Sequence, residues 1–339
     1  MWASRRAPRE PPFRLIGPSV VTRAPRCIDE ACQHVEVPNG RFAPSPTGDL
    51  HLGNLRTAMV AWLMARCSSG RFVLRVDDLD PLTCKPELAA RQRVDLEALG
   101  IDFDAPTVHQ SQRLADYHAA IEELHKRGLV YECYCTRREI AEAASAPNGP
   151  LGDSSYPGTC RNLSPPQRAA RRSEGRPPAL RLDAARRTVS FDDRFCGRYE
   201  AVVDDVVLRR NDGMPAYNLA VVVDDATQGV EEVVRADDLV TSTPRQILLA
   251  ELLGLRPVSY AHVPLVLGPD GKRLAKRDGA VTLADRVARG DDVDAVRSML
   301  AASLGLCERG ERVTMEALAH RFDPQLLPRV PWVIDPNEL

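Results

Sequence analysis

Arg41-Phe42-Ala43-Pro44-Ser45-Pro46-Thr47-Gly48-Asp49-Leu50-His51-Leu52-Gly53-Asn54 is the stretch from which the rest of this chain is read. Pro44 and Pro46 fix φ and withhold an N–H, so the loop is stiff. Gly48 and Gly53 remove side chains where a ligand or phosphate could come close. Leu55, Met59, Trp62 and Leu63 then recur at helical spacing and predict a helix from about Leu52 to Ser68, ended by Gly70. A loop opening such a helix offers unpaired N–H groups and the positive end of the helix dipole, and His51 there can donate to a phosphate oxygen. A bare His-x-Gly is an ordinary capped turn. The Pro-Ser-Pro-Thr-Gly directly in front of it favours an anion site.

Outward from this stretch, Arg71–Val76 reads as a strand, and Pro86–Leu99 as a helix stopped by Gly100. Strand, helix, strand, helix at this spacing predicts an α/β fold on a parallel sheet. A further helix is expected over 111–128, with Leu114, Tyr117, Ile121 and Leu124 on one face. From Tyr131 to Arg187 the character changes to a cysteine cluster, an Ala/Ser/Pro/Gly loop and a basic run, which reads as an insertion. Apolar strands are expected at Ala201–Leu208 and Leu219–Val223, and a helix from Thr243-Pro244 through Leu253. The part after Asp291 reads as helical, and Val330-Pro331-Trp332-Val333 as a tail packing back on the body. The expected division is a disordered N-terminal extension over 1–39, two halves of the α/β domain over 40–110 and 201–265, an insertion over 111–200, and a loop with C-terminal helices over 266–339.

The 339 residues carry a formal net charge of -2, which excludes a histone-like polycation and an acidic disordered chain. No apolar run is long enough to cross a membrane. The Arg/Pro-rich start has no apolar h-region of a signal peptide, so the nine cysteines are expected to be reduced thiols in a cytoplasm. Only four of the 45 basic residues are lysine: Lys85, Lys126, Lys272 and Lys276. Two fall together in Gly268-Pro269-Asp270-Gly271-Lys272-Arg273-Leu274-Ala275-Lys276-Arg277-Asp278-Gly279. This Gly-flanked cationic loop suits a triphosphate, although a charge run by itself is equally a solvated turn. Cys133-x-Cys135 and Cys160, near the turn at Pro157-Gly158, put three thiols within reach of a tetrahedral Zn²⁺, with buried free cysteines as the alternative.

Taken together, these strings resemble class I aminoacyl-tRNA synthetases. His51-Leu52-Gly53-Asn54 is similar to the HIGH signature, with Asn54 in place of its last histidine. Arg273-Leu274-Ala275-Lys276-Arg277 is similar to KMSKS, with only Lys276 identical. Arg41–Gly48 and Arg75-Val76-Asp77-Asp78-Leu79-Asp80 resemble the glutamyl/glutaminyl subgroup. Val234-Arg235-Ala236-Asp237-Asp238-Leu239 followed by Ser242-Thr243-Pro244-Arg245-Gln246, and an end soon after the loop, are most similar to the glutamyl-Q tRNA(Asp) synthetases, truncated paralogues of glutamyl-tRNA synthetase.

The resemblance implies a Rossmann-like catalytic sheet with a zinc-bearing insertion and a short helical C-terminal part. It implies glutamate activation by ATP without tRNA, then transfer to the queuosine base at the wobble position of tRNA(Asp). His51 and Lys276 are the implied catalytic residues. Arg41, Phe42, Ala43, Pro44, Ser45, Asp77, Tyr217 and Arg235 are the implied glutamate site, with Asp77 one methylene shorter than the family's usual glutamate. ATP falls to His51, Gly53, Asn54, Arg273 and Lys276, with Mg²⁺ accompanying it. Tyr156 is implied as the fourth ligand of one structural Zn²⁺ beside Cys133, Cys135 and Cys160. A cytoplasmic monomer is expected. A short glutamyl-tRNA synthetase charging a 3′ end, and an inactive tRNA-binding paralogue, are the alternatives.

Overall fold

Gly40–Phe42 (β1) and Phe72–Val76 (β2) pair in parallel, with Arg41 opposite Val73, because the helix Leu52–Cys67 (α1) carries the chain back between them. The computed structural model describes residues 38–136, 138–140, 156–274 and 281–335. The expected extension therefore lies outside the described residues except at its end. There Asn39 is already built in: its carbonyl accepts the N–H groups of Glu231 and Glu232, and its side chain accepts from Arg71 N–H. The helix Pro86–Ala98 (α2) leads to Val108–His109 (β3), which extends the sheet in parallel with Arg75 opposite Val108. The helix expected over 111–128 runs Leu114–Lys126 (α3).

The stripe expected on α1 is only part of what the helix buries. Leu55, Met59, Trp62 and Leu63 are buried, and so are Ala58, Val60, Ala61 and Met64. The sheet covers one side. Residues of Val293–Ser303 and Met315–Arg321 (α8 and α9 below) cover the other, among them Val296, Leu300, Met315 and Leu318. A helix apolar all round is a central helix, and burying its second face is what the C-terminal part does.

The insertion builds its own antiparallel sheet from Val130–Cys133 (β4), Ala179–Leu182 (β5) and Val207–Arg209 (β8), with the helix Pro165–Ser173 (α4) alongside in sequence. Between β5 and β8, Thr188–Asp193 (β6) and Gly197–Val202 (β7) form a hairpin that leaves this sheet. The sheets therefore do not divide at residue 200. The single strand expected at Ala201–Leu208 is two strands in two sheets. Asp204 and Asp205 break it, because their buried carboxylates take Arg245 and Tyr156 N–H on one side, and Arg161 and Tyr131 on the other.

The strand expected at Leu219–Val223 is instead the middle of a helix, Tyr217–Thr227 (α5). A short apolar run buried on all sides has the same composition in either form. Here the buried pair Asp224-Asp225 continues the helix into the centre of the molecule. Glu232–Ala236 (β9) and Ser259–Val263 (β10) are parallel, with Arg235 opposite His262, and β10 meets β6 at Tyr260 and Asp193. Thr243–Leu253 (α6) joins β9 to β10. β9 lies beside β1, tied by Asn39 and by Arg41, which donates to the Val234 carbonyl.

Val266–Leu267 (β11) pairs with the returning tail Trp332–Val333 (β12), as expected. Leu283–Ala288 (α7), α8 and α9 are the C-terminal helices. No helix among the described residues is long and apolar enough to cross a membrane.

Candidate active site

The carboxyl ends of β1 and β9 and the N-terminus of α1 enclose a cavity of about 440 Å³. Arg41, Phe42, Ala43, Pro44, Ser45, His51, Asn54, Asp77, Tyr217, Arg235 and Arg273 all line it. A crevice at the carboxyl ends of parallel strands is where such sheets place ligands. Tyr217, at the start of α5, is 41% exposed and faces this space rather than the core. Lys276 lies outside the described residues. It falls between Leu274 and Val281, both buried, whose backbones are fixed to Val266 and Leu52 respectively.

His51 caps α1. Its Nδ1 accepts the N–H of Asn54 at 3.3 Å, while Asn54 Oδ1 accepts the N–H of His51 at 3.2 Å. This reciprocal cap puts the ring proton on Nε2, the nitrogen left free to donate. Burial and then the nearby Arg273 guanidinium push the ring down to about 4, so it is neutral at physiological pH. Asn54, standing where the family signature has histidine, thus serves first as the cap partner. Gly53 departs from expectation: it does not line the cavity, and a Cβ there would sit 3.0 Å from the His51 ring. Its missing side chain makes room for the imidazole, not for a ligand. Gly48 does line the cavity, with open space where a Cβ would go.

Beneath the cavity lies a buried charge network. Arg75 Nε donates to Asp77 Oδ1 at 2.8 Å and its Nη1 to Asp225 Oδ1 at 2.6 Å. Arg41 Nε donates to the same Asp225 oxygen at 3.2 Å. Asp224 accepts from Gln110, Arg113 and Tyr117. Burial pushes the Asp77 carboxyl up to about 6, against the pull of Arg75. Asp225 is equally buried, but Arg41 and Arg75 together hold it below the usual carboxylate range. Arg75 and Asp77 are therefore not the surface pair that alternating strand charges could have been.

Arg235 is buried among acceptors: His262 Nε2 at 3.0 Å from Nε, Gln246 Oε1 at 2.8 Å from Nη1, and Thr243 Oγ1 at 2.8 Å from Nη2. Arg273 Nη1 donates to Asp238 Oδ2 at 2.6 Å across the cavity mouth. Sequence reasoning gave no role to Asp238, although its string was quoted for the resemblance. Nor did it single out Gln92, a buried side chain on α2 whose Nε2 donates to the carbonyls of Gly48 at 2.7 Å and Ser45 at 3.2 Å. Gln92 holds the Pro/Gly loop in shape, and nothing in a helix of charged neighbours marks it.

A second cluster sits in the insertion. The Sγ atoms of Cys133, Cys135 and Cys160 lie within 4.8 Å of one another and could hold a metal ion. The Tyr156 hydroxyl is 3.3 Å from Cys133 Sγ and 3.7 Å from Cys135 Sγ. Hydrogen bonds from Cys135 and Cys160 pull the Cys133 thiol down. The same contacts push Cys135 up, and burial pushes Tyr156 up. Four donors this close cannot all ionise without a cation among them. The Arg181 guanidinium, 3.8 Å over the Tyr156 ring, supplies further positive charge.

Residues 38–339 match the family model described as tRNA synthetases class I (E and Q), catalytic domain. The chain is 61% identical over 300 residues to the glutamyl-Q tRNA(Asp) synthetase of Nocardia farcinica, covering 88% of this chain and 94% of that one. It is 39% identical to glutamate–tRNA ligase 1 of Halorhodospira halophila, covering 88% of this chain but 65% of that one. Among solved structures, a glutamate tRNA ligase from Elizabethkingia meningosepticum in complex with its amino acid superposes with a TM-score of 0.75 at 27% identity, over 88% of this chain and 67% of that one.

Proposed function

This chain belongs to the class I tRNA synthetases of the glutamate and glutamine type, a family of ligases, and on that premise we propose that it activates L-glutamate with ATP and transfers it to queuosine in tRNA(Asp). The observation that carries the reading is one cavity in which Arg41, Arg235, Asp77 and Tyr217 stand opposite a helix N-terminus capped by a neutral, donating histidine.

Arg41 and Arg235 meet the acidic groups of glutamate, Tyr217 donates its hydroxyl, and the ionised Asp77 takes the α-ammonium. The α-carboxylate oxygen then attacks the α-phosphorus of ATP, the Pα–O bond to the β-phosphate breaks, and pyrophosphate leaves. His51 Nε2–H and the N–H groups of α1 face the phosphates, and Arg273 and Lys276 add cationic charge from the loop. Mg²⁺ accompanying ATP would neutralise phosphate charge there. A hydroxyl of the queuosine cyclopentene ring next attacks the mixed anhydride, releasing AMP and a proton.

Cys133, Cys135, Cys160 and Tyr156 would hold one structural Zn²⁺, whose chemistry is to tie the end of β4 to the segment beginning at Tyr156. The enzyme works in the cytoplasm as a monomer. Identity of 61% to a glutamyl-Q tRNA(Asp) synthetase, against 39% to a glutamate–tRNA ligase, favours the wobble base over the 3′ end. Glutamate-dependent ATP–pyrophosphate exchange without tRNA, followed by transfer to tRNA(Asp) with and without queuosine, tests it. Absence of exchange would leave a binding paralogue, and equal transfer to both tRNAs would redirect the reaction to the 3′ end.

A further inference from the structure

We propose that His262, oriented by Asp193, is the positioning residue that aims Arg235 at the substrate carboxylate. The proposal rests on the reading of Arg235 as a glutamate ligand. His262 is fully buried on β10, directly opposite Arg235 on β9, and Asp193 ends β6 on the other side of it. Three neighbouring strands thus carry a carboxylate, an imidazole and a guanidinium in a row.

The hydrogen bonds fix the ring. Asp193 Oδ2 lies 2.5 Å from His262 Nδ1. Asp193 Oδ1 accepts the backbone N–H groups of Phe195 and Cys196, each at 2.9 Å. Against the cost of its burial, the His262 ring first, and then these N–H groups with that of His262 itself, hold Asp193 below the usual carboxylate range, and an ionised carboxylate demands the proton on Nδ1. Nε2 then presents a lone pair, and Arg235 Nε–H is its donor at 3.0 Å. Burial keeps the ring neutral beside the guanidinium. Gln246 and Thr243 take the other edges of the same guanidinium. Nη2 also reaches the Leu239 carbonyl at 3.5 Å. The guanidinium plane is therefore set before substrate arrives, leaving its charge and one N–H of Nη1 for the ligand. Preorganisation of this kind lowers the ordering cost of binding.

The wall facing glutamate is thus specified by residues that never touch it. Neither His262 nor Asp193 lines the cavity. A merely structural histidine would matter through both ring nitrogens alike, whereas a positioning histidine matters through Nε2.

Two replacements separate these cases. His262→Gln places an amide oxygen near Nε2 and keeps an acceptor for Arg235. His262→Asn keeps a donor to Asp193 and removes that acceptor. In glutamate-dependent ATP–pyrophosphate exchange, His262→Asn is expected to raise the glutamate KM about tenfold, the loss of one charge-assisted hydrogen bond, with the ATP KM little changed. His262→Gln should stay within about threefold of the wild type. On an Arg235→Leu background His262→Asn should add little, because the two act as a unit.

If Arg235→Leu itself left the glutamate KM unchanged, the pocket assignment would fail first. If Arg235→Leu raised it while the two His262 variants behaved alike, the positioning role would fail and the pocket would stand. Should either His262 variant not fold in thermal melts, Asp193→Asn is the substitute. It releases the tautomer and should also raise the glutamate KM selectively. An unchanged glutamate KM in that folded variant overturns the proposal.

Discussion

Asp77 is the residue whose protonation state the cavity cannot choose alone. Three arginines, Arg41, Arg75 and Arg113, meet three buried carboxylates, Asp77, Asp224 and Asp225, so the charges balance only when Asp77 is ionised. Burial pushes its carboxyl up to about 6, so it is an anion above that pH and neutral below. Glutamate-dependent kcat/KM, which reports the free enzyme, should therefore fall as pH drops from 7 to 5, approaching about tenfold per unit at the acid end. An exchange profile flat across that range would exclude Asp77 as the ammonium partner. Lys276, one of four lysines in an arginine-rich chain, gives the second expectation at this scale. Lys276→Ala should lower exchange by ~10²–10³ without changing the thermal melt, as loss of one preorganised charge does. Near-normal exchange would remove the loop from the chemistry.

At the scale of the element, α5 and the cysteine cluster each join parts that local propensity does not join. Asp224 on α5 accepts from Gln110, Arg113 and Tyr117, and lies 3.6 Å from Arg75. Asp224→Ala would leave buried cations uncompensated and is expected to cost about 3–5 kcal/mol of stability. Urea titration measures it, and a loss under 1 kcal/mol would mean that water reaches the site. In the insertion, Cys133→Ser should abolish bound zinc and lower the melting temperature, with adenylate formation less affected than transfer to tRNA, because the clusters are separate. Metal analysis of wild-type protein prepared without chelator should find about one zinc per chain, the four donors present making one tetrahedral site. No zinc in such a preparation would return the cysteines to buried thiols.

Across the whole molecule, every described lining residue of the cavity comes from Arg41 or later. Removing residues 1–36 should therefore leave exchange activity and the melting temperature unchanged, and a clear loss of either would assign those residues to the catalytic body. The C-terminal helices have the opposite standing. They bury the outer face of α1 through Val296, Leu300, Met315 and Leu318. The backbone N–H of Leu52 bonds the Val281 carbonyl at 2.7 Å, which fixes the exit of the cationic loop at the same corner as His51.

The sequence by itself determined the α/β class and the start of the parallel sheet, but not the strands of its second half. Pro44 and Pro46 announce a stiff loop because proline fixes φ, and Gly48 and His51 mark the approach to a helix N-terminus by an absent side chain and a capping one. Helical spacing placed α1, and Pro and Gly punctuation placed α2 and α6; with β2 they fall within a residue or two of the readings. Cys133, Cys135 and Cys160 could be grouped by spacing near a turn. Tertiary structure alone decided the rest. Leu219–Val223 gave no periodic signal because nearly all of it is buried, and only its packing in the fold shows it to be helix. Arg235 acquires its orientation from His262 and Asp193, residues 27 and 42 positions away along the chain, because parallel strands bring together side chains that no local pattern connects.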